Sequence, residues 1–435
     1  MKKIFQYIML AVVTIVMASC TSDIEETTAT TGKSNVQLVV GEFPAFGDSQ
    51  TRAIGTLDPG KTSWAEGDEL LLEMTSKTFG TKYAAFTYNG SSWELTSGEL
   101  SYKEDEVPTF PHVYYAPNYK WEAGELVLKE GKVAGTDEYI EGTAQITPNG
   151  EAITVKFAEA TRNYSRLRIA TMPNMPITVA FNNRYTPAGS SVSAFFPRYT
   201  LTSDEKGNAY LYGTFGQYCD FDVKYGEAIL ATHTFYQAAE SAKSYVLDAT
   251  VVSLTDEGIT YDQIVEDVKK ELDAGKTYIN LILAPDADEE TLDAINIGLQ
   301  DARYGSINLT LIGCKKIPSG GFMYWKMLKS IALPDVTEIA EKAFLDCTRL
   351  QKVVLGNLTK VYGKAGEKGI FEGCRTKDID LVLSKDQKVM NGGETEGGYC
   401  WTADITKDYS GSDEHNGRVF LDYDFQSITC GYPVP

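Results

Sequence analysis

Short runs of alternating apolar and polar residues fill the chain between residues 36 and 252 and predict β-strands. Residues 69–74 and 82–88 are typical runs, and glycine, asparagine, proline and serine separate such runs at short intervals. Many short strands with frequent turn residues indicate β-sandwiches. No amphipathic helix is predicted here, and the length accommodates two sandwiches, 36–158 and 159–252.

The periodicity changes after residue 252. Apolar residues over 260–276 recur at three- and four-residue spacing and predict a helix that stops at Gly275. A strand is predicted next, over 277–285, followed by a second helix over 287–304 and another strand over 307–313. This alternation of helix and strand predicts an α/β arrangement.

Self-comparison of the carboxyl-terminal part shows a repeat. Pairs of apolar residues separated by one position recur at spacings of 28, 22, 22 and 28, namely Leu281/Leu283, Leu309/Leu311, Ile331/Leu333, Val353/Leu355 and Leu381/Leu383. Phe322, Phe344 and Phe371 share one place in successive repeats. A single repeat cannot bury its apolar side alone, so we expect the repeats to stack into a solenoid over 253–390, with 391–435 as a cap.

The repeat resembles the BspA-like leucine-rich repeats of bacterial surface proteins. The matching residues are Leu328–Pro334, Ile339, Ala343–Cys347 and Leu350–Leu355. The resemblance implies an α/β leucine-rich-repeat solenoid in which Cys347 and Cys374 are packing residues rather than catalysts.

The amino-terminal half resembles the opening segment of fimbrillin-like lipoproteins. Thr51, Arg52, Trp64, Gly67 and Asp68 carry the match. The resemblance implies sandwiches of transthyretin-like topology in a lipid-modified protein that builds or anchors fibres. It also makes Arg52 a candidate processing site, although the position of Arg52 within the motif favours a structural role at a strand end. The predicted fold class is therefore multi-domain, with all-β sandwiches followed by the α/β leucine-rich-repeat solenoid.

The first twenty residues predict export. Lys2 and Lys3 precede an apolar stretch over 4–18, which is too short for a stable transmembrane helix and is followed directly by Cys20. We expect a signal peptide over 1–19, lipid attachment at Cys20 and a flexible tether over 20–35. The predicted location is the outer membrane, lipid-anchored and surface-exposed. The alternative is an ordinary signal peptide with a coincidental cysteine.

Charge and motifs exclude several functions. The formal net charge of −20 argues against nucleic acid as a partner. Residues 55–62 match the phosphate-loop expression, but Pro59 removes a donor and the following segment is strand-like and acidic, so we predict no nucleotide. With three isolated histidines and no nucleophile-elbow motif, we predict no enzyme activity, no cofactor and no metal.

Two further groups of residues are candidates for specific roles. Cys400 and Cys430 lie in the carboxyl-terminal tail and could form a disulfide in an oxidising compartment. Residues between the apolar pairs of the repeats point away from the core and form a candidate binding face: Asn308, Thr310, Ser330, Ala332, Lys352, Val354, Asp380 and Val382. The alternative is that this face is solvated or packs on a sandwich.

Three functions follow from this organisation. The leading hypothesis is adhesion or recognition at the cell surface through the repeat face. The second is a structural fimbrial subunit or pilus anchor, and the third is glycan binding in a polysaccharide-uptake system. The expected partners are the membrane, through the lipid, and a host protein, a glycan or a fimbrial subunit.

Overall fold

The computed structural model describes residues 37–48, 60–103, 105–147, 152–158, 162–361, 369–384, 394–395, 398–399, 419–421 and 423–432; for 47–48, 394–395, 398–399, 419 and 430–432 this covers the backbone alone. Cys20, Arg52, Cys400 and the segment predicted as signal peptide lie outside the described residues, as does the side chain of Cys430. Among the helices described, none has the length and apolarity needed to cross a bilayer.

The amino-terminal part consists of strands. They are β1 (Gln37–Val40), β2 (Gly47–Asp48), β3 (Glu69–Ser76), β4 (Gly80–Tyr88), β5 (Trp93–Gly98), β6 (Thr109–Tyr115), β7 (Tyr119–Glu122), β8 (Glu125–Leu128), β9 (Ile140–Glu141), β10 (Thr143–Ile146) and β11 (Ala152–Lys156). A five-stranded sheet in the order β5-β4-β3-β6-β9 faces a three-stranded sheet in the order β1-β11-β10. Leu70, Leu72 and Met74 of β3 pack with Ile153 and Val155 of β11 in one buried cluster. Every second residue of β3 from Leu70 to Met74 therefore faces this core, and two sheets that bury such faces against each other form a sandwich.

The next part is again made of strands. They are β12 (Ser165–Ala170), β13 (Pro176–Phe181), β14 (Arg184–Pro187), β15 (Ala194–Phe195), β16 (Arg198–Thr202), β17 (Asn208–Thr214), β18 (Cys219–Tyr225), β19 (Ala228–Phe235) and β20 (Lys243–Asp248). A six-stranded sheet (β15-β14-β17-β12-β20-β2) packs on a four-stranded sheet (β16-β13-β18-β19) around a separate core. Strand β2 pairs with β20, so the chain before β3 already contributes to this second sandwich.

A buried ion pair lies where the two sandwiches meet. Arg162, which precedes β12, donates from Nε and Nη2 to the two carboxylate oxygens of Glu138 at 3.2 and 3.1 Å. The hydroxyl of Tyr164 donates to the same carboxylate at 2.6 Å, and Arg162 Nη1 donates to the carbonyl oxygen of Pro44. The Arg162 side chain is fully buried. Three chain segments are therefore joined through one hydrogen-bonded network, called here the junction network.

The carboxyl-terminal part contains two α-helices and many strands. They are β21 (Val252–Leu254), α1 (Tyr261–Asp273), β22 (Tyr278–Leu283), α2 (Glu289–Gly298), β23 (Ile307–Ile312), β24 (Lys316–Ile317), β25 (Leu328–Leu333), β26 (Glu338–Ile339), β27 (Lys352–Leu355), β28 (Lys360–Val361), a 3-10 helix (Thr376–Asp378), β29 (Asp380–Ser384), β30 (Glu394–Thr395), β31 (Gly398–Tyr399), β32 (Val419–Phe420), β33 (Tyr423–Asp424) and β34 (Ser427–Tyr432). A seven-stranded parallel sheet has the order β21-β22-β23-β25-β27-β29-β34, and β24, β26 and β28 form a second parallel sheet.

The register of the large sheet follows the sequence repeat over most of its width. Leu309 pairs with Ile331, Ile331 with Val353, and Val353 with Leu381. Between β22 and β23 the repeat spacing predicts that Leu281 lies beside Leu309, whereas the structure pairs Leu281 with Leu311. The shift is two residues, so the same side chains still face the core, because side chains of a strand alternate with a period of two.

The predicted α/β leucine-rich-repeat solenoid is wrong. The described chain is mainly β, and its α-helices are α1 and α2, both at the start of the carboxyl-terminal part. Later units return through two-residue strands and tight turns. Each turn has a left-handed residue two positions after its phenylalanine: Tyr324, Asp346 and Gly373. A 22-residue unit that contains two strands and such a turn leaves no length for a helix. The predicted β-sandwich content is compatible with the structure.

Candidate functional site

The outer face of the seven-stranded sheet lies against β19 of the second sandwich. Ile282 and Ile312 point away from the sheet's own core and pack into the core of that sandwich. Further along, Ala332 and Val354 are buried with Ala228, and Val382 packs against the same cluster. Part of the candidate binding face therefore serves as an internal contact between the two parts of the chain.

Asn280 anchors this contact. Its side-chain Nδ2 donates to the carbonyl oxygens of Leu230 at 3.0 Å and Thr250 at 3.3 Å, and the residue is 3% exposed. The amide thus satisfies one backbone acceptor on β19 of the second sandwich and another in the connection between β20 and β21. Buried carbonyl groups without partners are destabilising, so the identity of this residue matters for docking.

Replacing Asn280 with alanine should lower the free energy of unfolding by about 1–3 kcal/mol, because the buried carbonyl group of Leu230 and the partly buried one of Thr250 lose their donor. Urea unfolding followed by tryptophan fluorescence measures the change. Asn182→Ala is the matched control, since the Asn182 amide binds Asp220 on the exposed surface and its loss should cost less than about 0.5 kcal/mol. Equal effects of the two substitutions would show that Asn280 does not anchor the contact.

Beside this contact the two parts separate and leave a cleft of about 240 Å³, called here the interface cleft. Its walls come from β19 on one side and from strands β22, β23, β25, β27 and β29 on the other. It is lined by Ile229, Tyr278, Asn308, Thr310, Lys329, Ser330, Ile331, Ala332, Gln351, Lys352, Val354 and Asp380. Seven of the eight residues of the candidate binding face line it, and Val382 packs beside it.

The polar side chains of the interface cleft are held in place by hydrogen bonds. The Ser330 hydroxyl donates to Asn308 Oδ1 at 2.7 Å, and Asn308 Nδ2 donates to the carbonyl oxygen of Thr277 at 3.3 Å. The hydroxyl of Ser427 donates to the Asp380 carboxylate. Asn308 is bonded to Ser330 on the paired strand, and Asp380 is bonded to Ser427 on the paired strand, so these side chains are oriented before any ligand arrives.

Lys352 brings a positive charge into the cleft. Burial lowers the pKa of its ammonium group, and the nearby ammonium of Lys224 lowers it further, while Asp222, Glu227 and Asp380 oppose these effects. Lys224 has its own partner, Glu227, at 3.0 Å. Among the residues that the structure describes, no carboxylate forms an ion pair with Lys352. The cleft therefore contains a half-buried cation without a direct counter-charge.

Cys347 and Cys374 are packing residues rather than reactive thiols. The Cys347 thiol donates to the carbonyl oxygen of Phe322 at 3.0 Å and the Cys374 thiol to that of Phe344 at 2.9 Å. The pKa of Cys347 lies well above its ordinary value, because of the hydrogen bond with Cys374 and because of burial. A raised pKa keeps the thiol protonated and a poor nucleophile.

Other sequence candidates take structural positions. Lys61, the lysine of the phosphate-loop match, forms an ion pair with Asp68 and lies over the rings of Phe43 and Tyr115. Within the described part of the chain, no group of three histidine, cysteine or acidic residues is placed to hold a metal ion.

Sequence reasoning missed several residues of the site. Ile229, Tyr278, Lys329 and Gln351 line the interface cleft but were not predicted. Ile229 lies in the second sandwich, and no local pattern indicates which part of a sandwich will lie against the sheet. Lys329 and Gln351 each precede a predicted residue of the binding face by one position. A prediction that included the residue before each of these positions would have contained them.

Comparison with known proteins gives limited similarity. No family model matches the chain, and no curated protein matches it. Two crystal structures of variants of the shaft pilin SpaA from Lactobacillus rhamnosus GG share 11% and 12% identity over 51% and 53% of this chain, covering 97% and 100% of the pilin, with TM-scores of 0.19. The Bacillus anthracis TIE protein shares 11% identity over 53% of this chain and 37% of its own, with a TM-score of 0.14. Each of these similarities covers about half of the chain, and none of them assigns the chain to a family.

Proposed function

We propose that this protein is a structural component of the cell surface, of the fimbrial subunit or anchor type, whose parts are held in a fixed arrangement. The observation that carries the proposal is the junction network, in which buried Arg162 is bonded to Glu138 and Pro44 across the sandwich boundary. Interfaces between domains are usually polar and permit relative motion. A buried arginine with three hydrogen bonds to two other chain segments resists such motion, which suits a stalk that bears load.

The expected anchor is the lipid on Cys20, at the outer membrane and facing outward. Tandem sandwiches with a fixed junction and a lipidated amino terminus fit the resemblance to fimbrillin-like lipoproteins. In this proposal, cleavage after Arg52 prepares the chain for assembly with further copies.

Replacing Cys20 with alanine should remove lipid labelling and release the chain from the membrane fraction, because the acyl chains supply the anchoring free energy. The measurement is labelling of growing cells with a palmitate analogue, followed by fractionation. Thr21→Ala is the neighbouring control and should keep both label and membrane location. A Cys20→Ala chain that stays in the membrane, together with an unlabelled native chain, would contradict lipid anchoring.

Assembly separates the structural role from simple anchoring. Material sheared from intact cells should contain polymers of the chain, and Arg52→Ala should reduce them to monomers. Electron microscopy and denaturing electrophoresis provide the readout. Monomers alone in the native sample would contradict the fibre role.

A second candidate function is recognition of an external ligand, and the interface cleft favours it. The cleft combines hydrogen-bonding groups that are held in place with the half-buried ammonium group of Lys352, which forms no ion pair with a carboxylate of the described residues. In this proposal the partner is a host molecule or a glycan, and the sandwiches present the cleft away from the membrane.

A further inference from the structure

We propose that the interface cleft binds an acidic sugar, with the ammonium group of Lys352 receiving its carboxylate and the neighbouring amides and hydroxyls receiving its hydroxyl groups. This inference rests on the second proposed function and names the ligand class for it. It does not depend on lipid anchoring or on assembly into fibres.

The charges around the interface cleft favour a ligand with one negative group. Lys329, Lys352 and Asp380 are the charged residues that line the cleft, and the Asp380 carboxylate already accepts a hydrogen bond from Ser427. Asp222 and Glu227 lie outside the lining and act on Lys352 without forming an ion pair with it. A half-buried ammonium group that lacks a direct counter-charge gains most from an anion within hydrogen-bond distance. The whole chain has a formal charge of −20, so its field repels polyanions. A ligand with one carboxylate satisfies both conditions.

The uncharged polar groups match sugar hydroxyls. Gln351 directly precedes Lys352 in the chain, Ser330 lies beside Lys352 on β25, and Asn308 lies one strand further on β23. Their side chains offer both donors and acceptors. Asn308 and Ser330 are already bonded to each other at 2.7 Å, which fixes their positions. Hydroxyl groups donate and accept, so they can bind to such a mixed set, whereas an apolar acid would leave these groups without partners.

The remaining walls match the C–H face of a sugar ring. Ile229, Ala332 and Val354 provide apolar surface, and Tyr278 adds an aromatic ring at the end of the cleft nearest β22. The volume of about 240 Å³ lies below the range of about 300–1,000 Å³ that is typical of pockets for drug-sized ligands. One or two sugar rings are therefore the appropriate size.

Isothermal titration of the purified chain with glucuronate and galacturonate tests the proposal, with glucose and galactose as the neutral partners. We expect both uronates to bind at least ten-fold more tightly than the neutral sugars. Lys352→Met should weaken uronate binding at least ten-fold, and Lys352→Arg should preserve most of it. Lys326→Met removes an exposed lysine of the same sheet region outside the cleft and should change nothing.

Three results would overturn the proposal. They are equal binding of neutral and acidic sugars, uronate binding that is unchanged in Lys352→Met, and sulfate or acetate binding as tightly as the uronates, which would indicate a simple anion pocket. Circular dichroism of each variant establishes that it is folded. If uronates fail but a polysaccharide array shows another ligand that Lys352→Met abolishes, recognition by the cleft stands and only the acidic-sugar assignment fails.

Discussion

Replacing Arg162 with alanine should lower the free energy of unfolding by about 3–5 kcal/mol, because the substitution leaves the buried Glu138 carboxylate without its partner. The Arg162 side chain is fully buried, and its guanidinium makes two bonds to Glu138 at 3.1 and 3.2 Å. Urea unfolding of the full chain, followed by tryptophan fluorescence and far-ultraviolet circular dichroism, measures the loss. The transition of the two sandwiches should move to lower urea concentration.

Two controls make this result specific to the junction network. Arg198 pairs with Glu227 at 3.5 Å and its side chain is 59% exposed, so Arg198→Ala should cost less than about 1 kcal/mol. The double variant Arg162→Met with Glu138→Leu removes both charges and should recover much of the stability, because no unpaired buried charge remains. A loss for Arg162→Ala no larger than that for Arg198→Ala would show that the junction network does not stabilise the contact between the sandwiches.

The sequence predicts the strand-rich regions well because alternation is a local property. Leu70, Leu72 and Met74 form one face of the first core, while Leu71 between them lies on the other side of the sheet in a separate buried cluster. The repeat spacing likewise predicts the register from Leu309 to Leu381. Both signals depend on residues close in sequence or on a regular interval, which a single chain displays directly.

Local periodicity predicts the two α-helices of the carboxyl-terminal part. The predicted helix over 260–276 is confirmed as α1, with Thr260 capping the amino terminus and Gln263 completing a capping box. The helix predicted over 287–304 is confirmed as α2 but ends at Gly298. Both helices belong to the first two units, and the predicted α/β class is wrong for the later repeats. Those units close with a left-handed turn residue instead.

Contacts between distant segments could not be predicted. Glu138 and Arg162 are 24 positions apart, and nothing in the surrounding sequence distinguishes this pair from other acid and base pairs in the chain. The same holds for Ile229 opposite the parallel sheet. Such contacts depend on how whole sheets pack, and that is decided by shape and burial over many residues rather than by a motif.

Replacing Phe344 with alanine should lower the free energy of unfolding by about 3–5 kcal/mol, because the substitution leaves a cavity in a fully buried core. The Phe344 side chain is fully buried and lies in the middle of a stack of three rings. Its centroid is 5.3 Å from that of Phe322 and 5.1 Å from that of Phe371, with interplanar angles of 11° and 9°. The loss should appear in the unfolding transition of the repeat region, which Trp325 reports, because its ring contacts Phe322.

The size of the effect follows from the stacking of repeats. Each unit buries its apolar side only against its neighbours, so a cavity in a central unit weakens two interfaces at once. Phe195 is 60% exposed, so Phe195→Ala is a suitable control and should change the stability by less than about 0.5 kcal/mol. Phe344→Leu should lose less than Phe344→Ala, because the leucine fills part of the space. If Phe344→Ala and Phe195→Ala unfold at the same urea concentration, the phenylalanine stack does not hold the repeats together, and the thiol hydrogen bonds of Cys347 and Cys374 become the contacts to test.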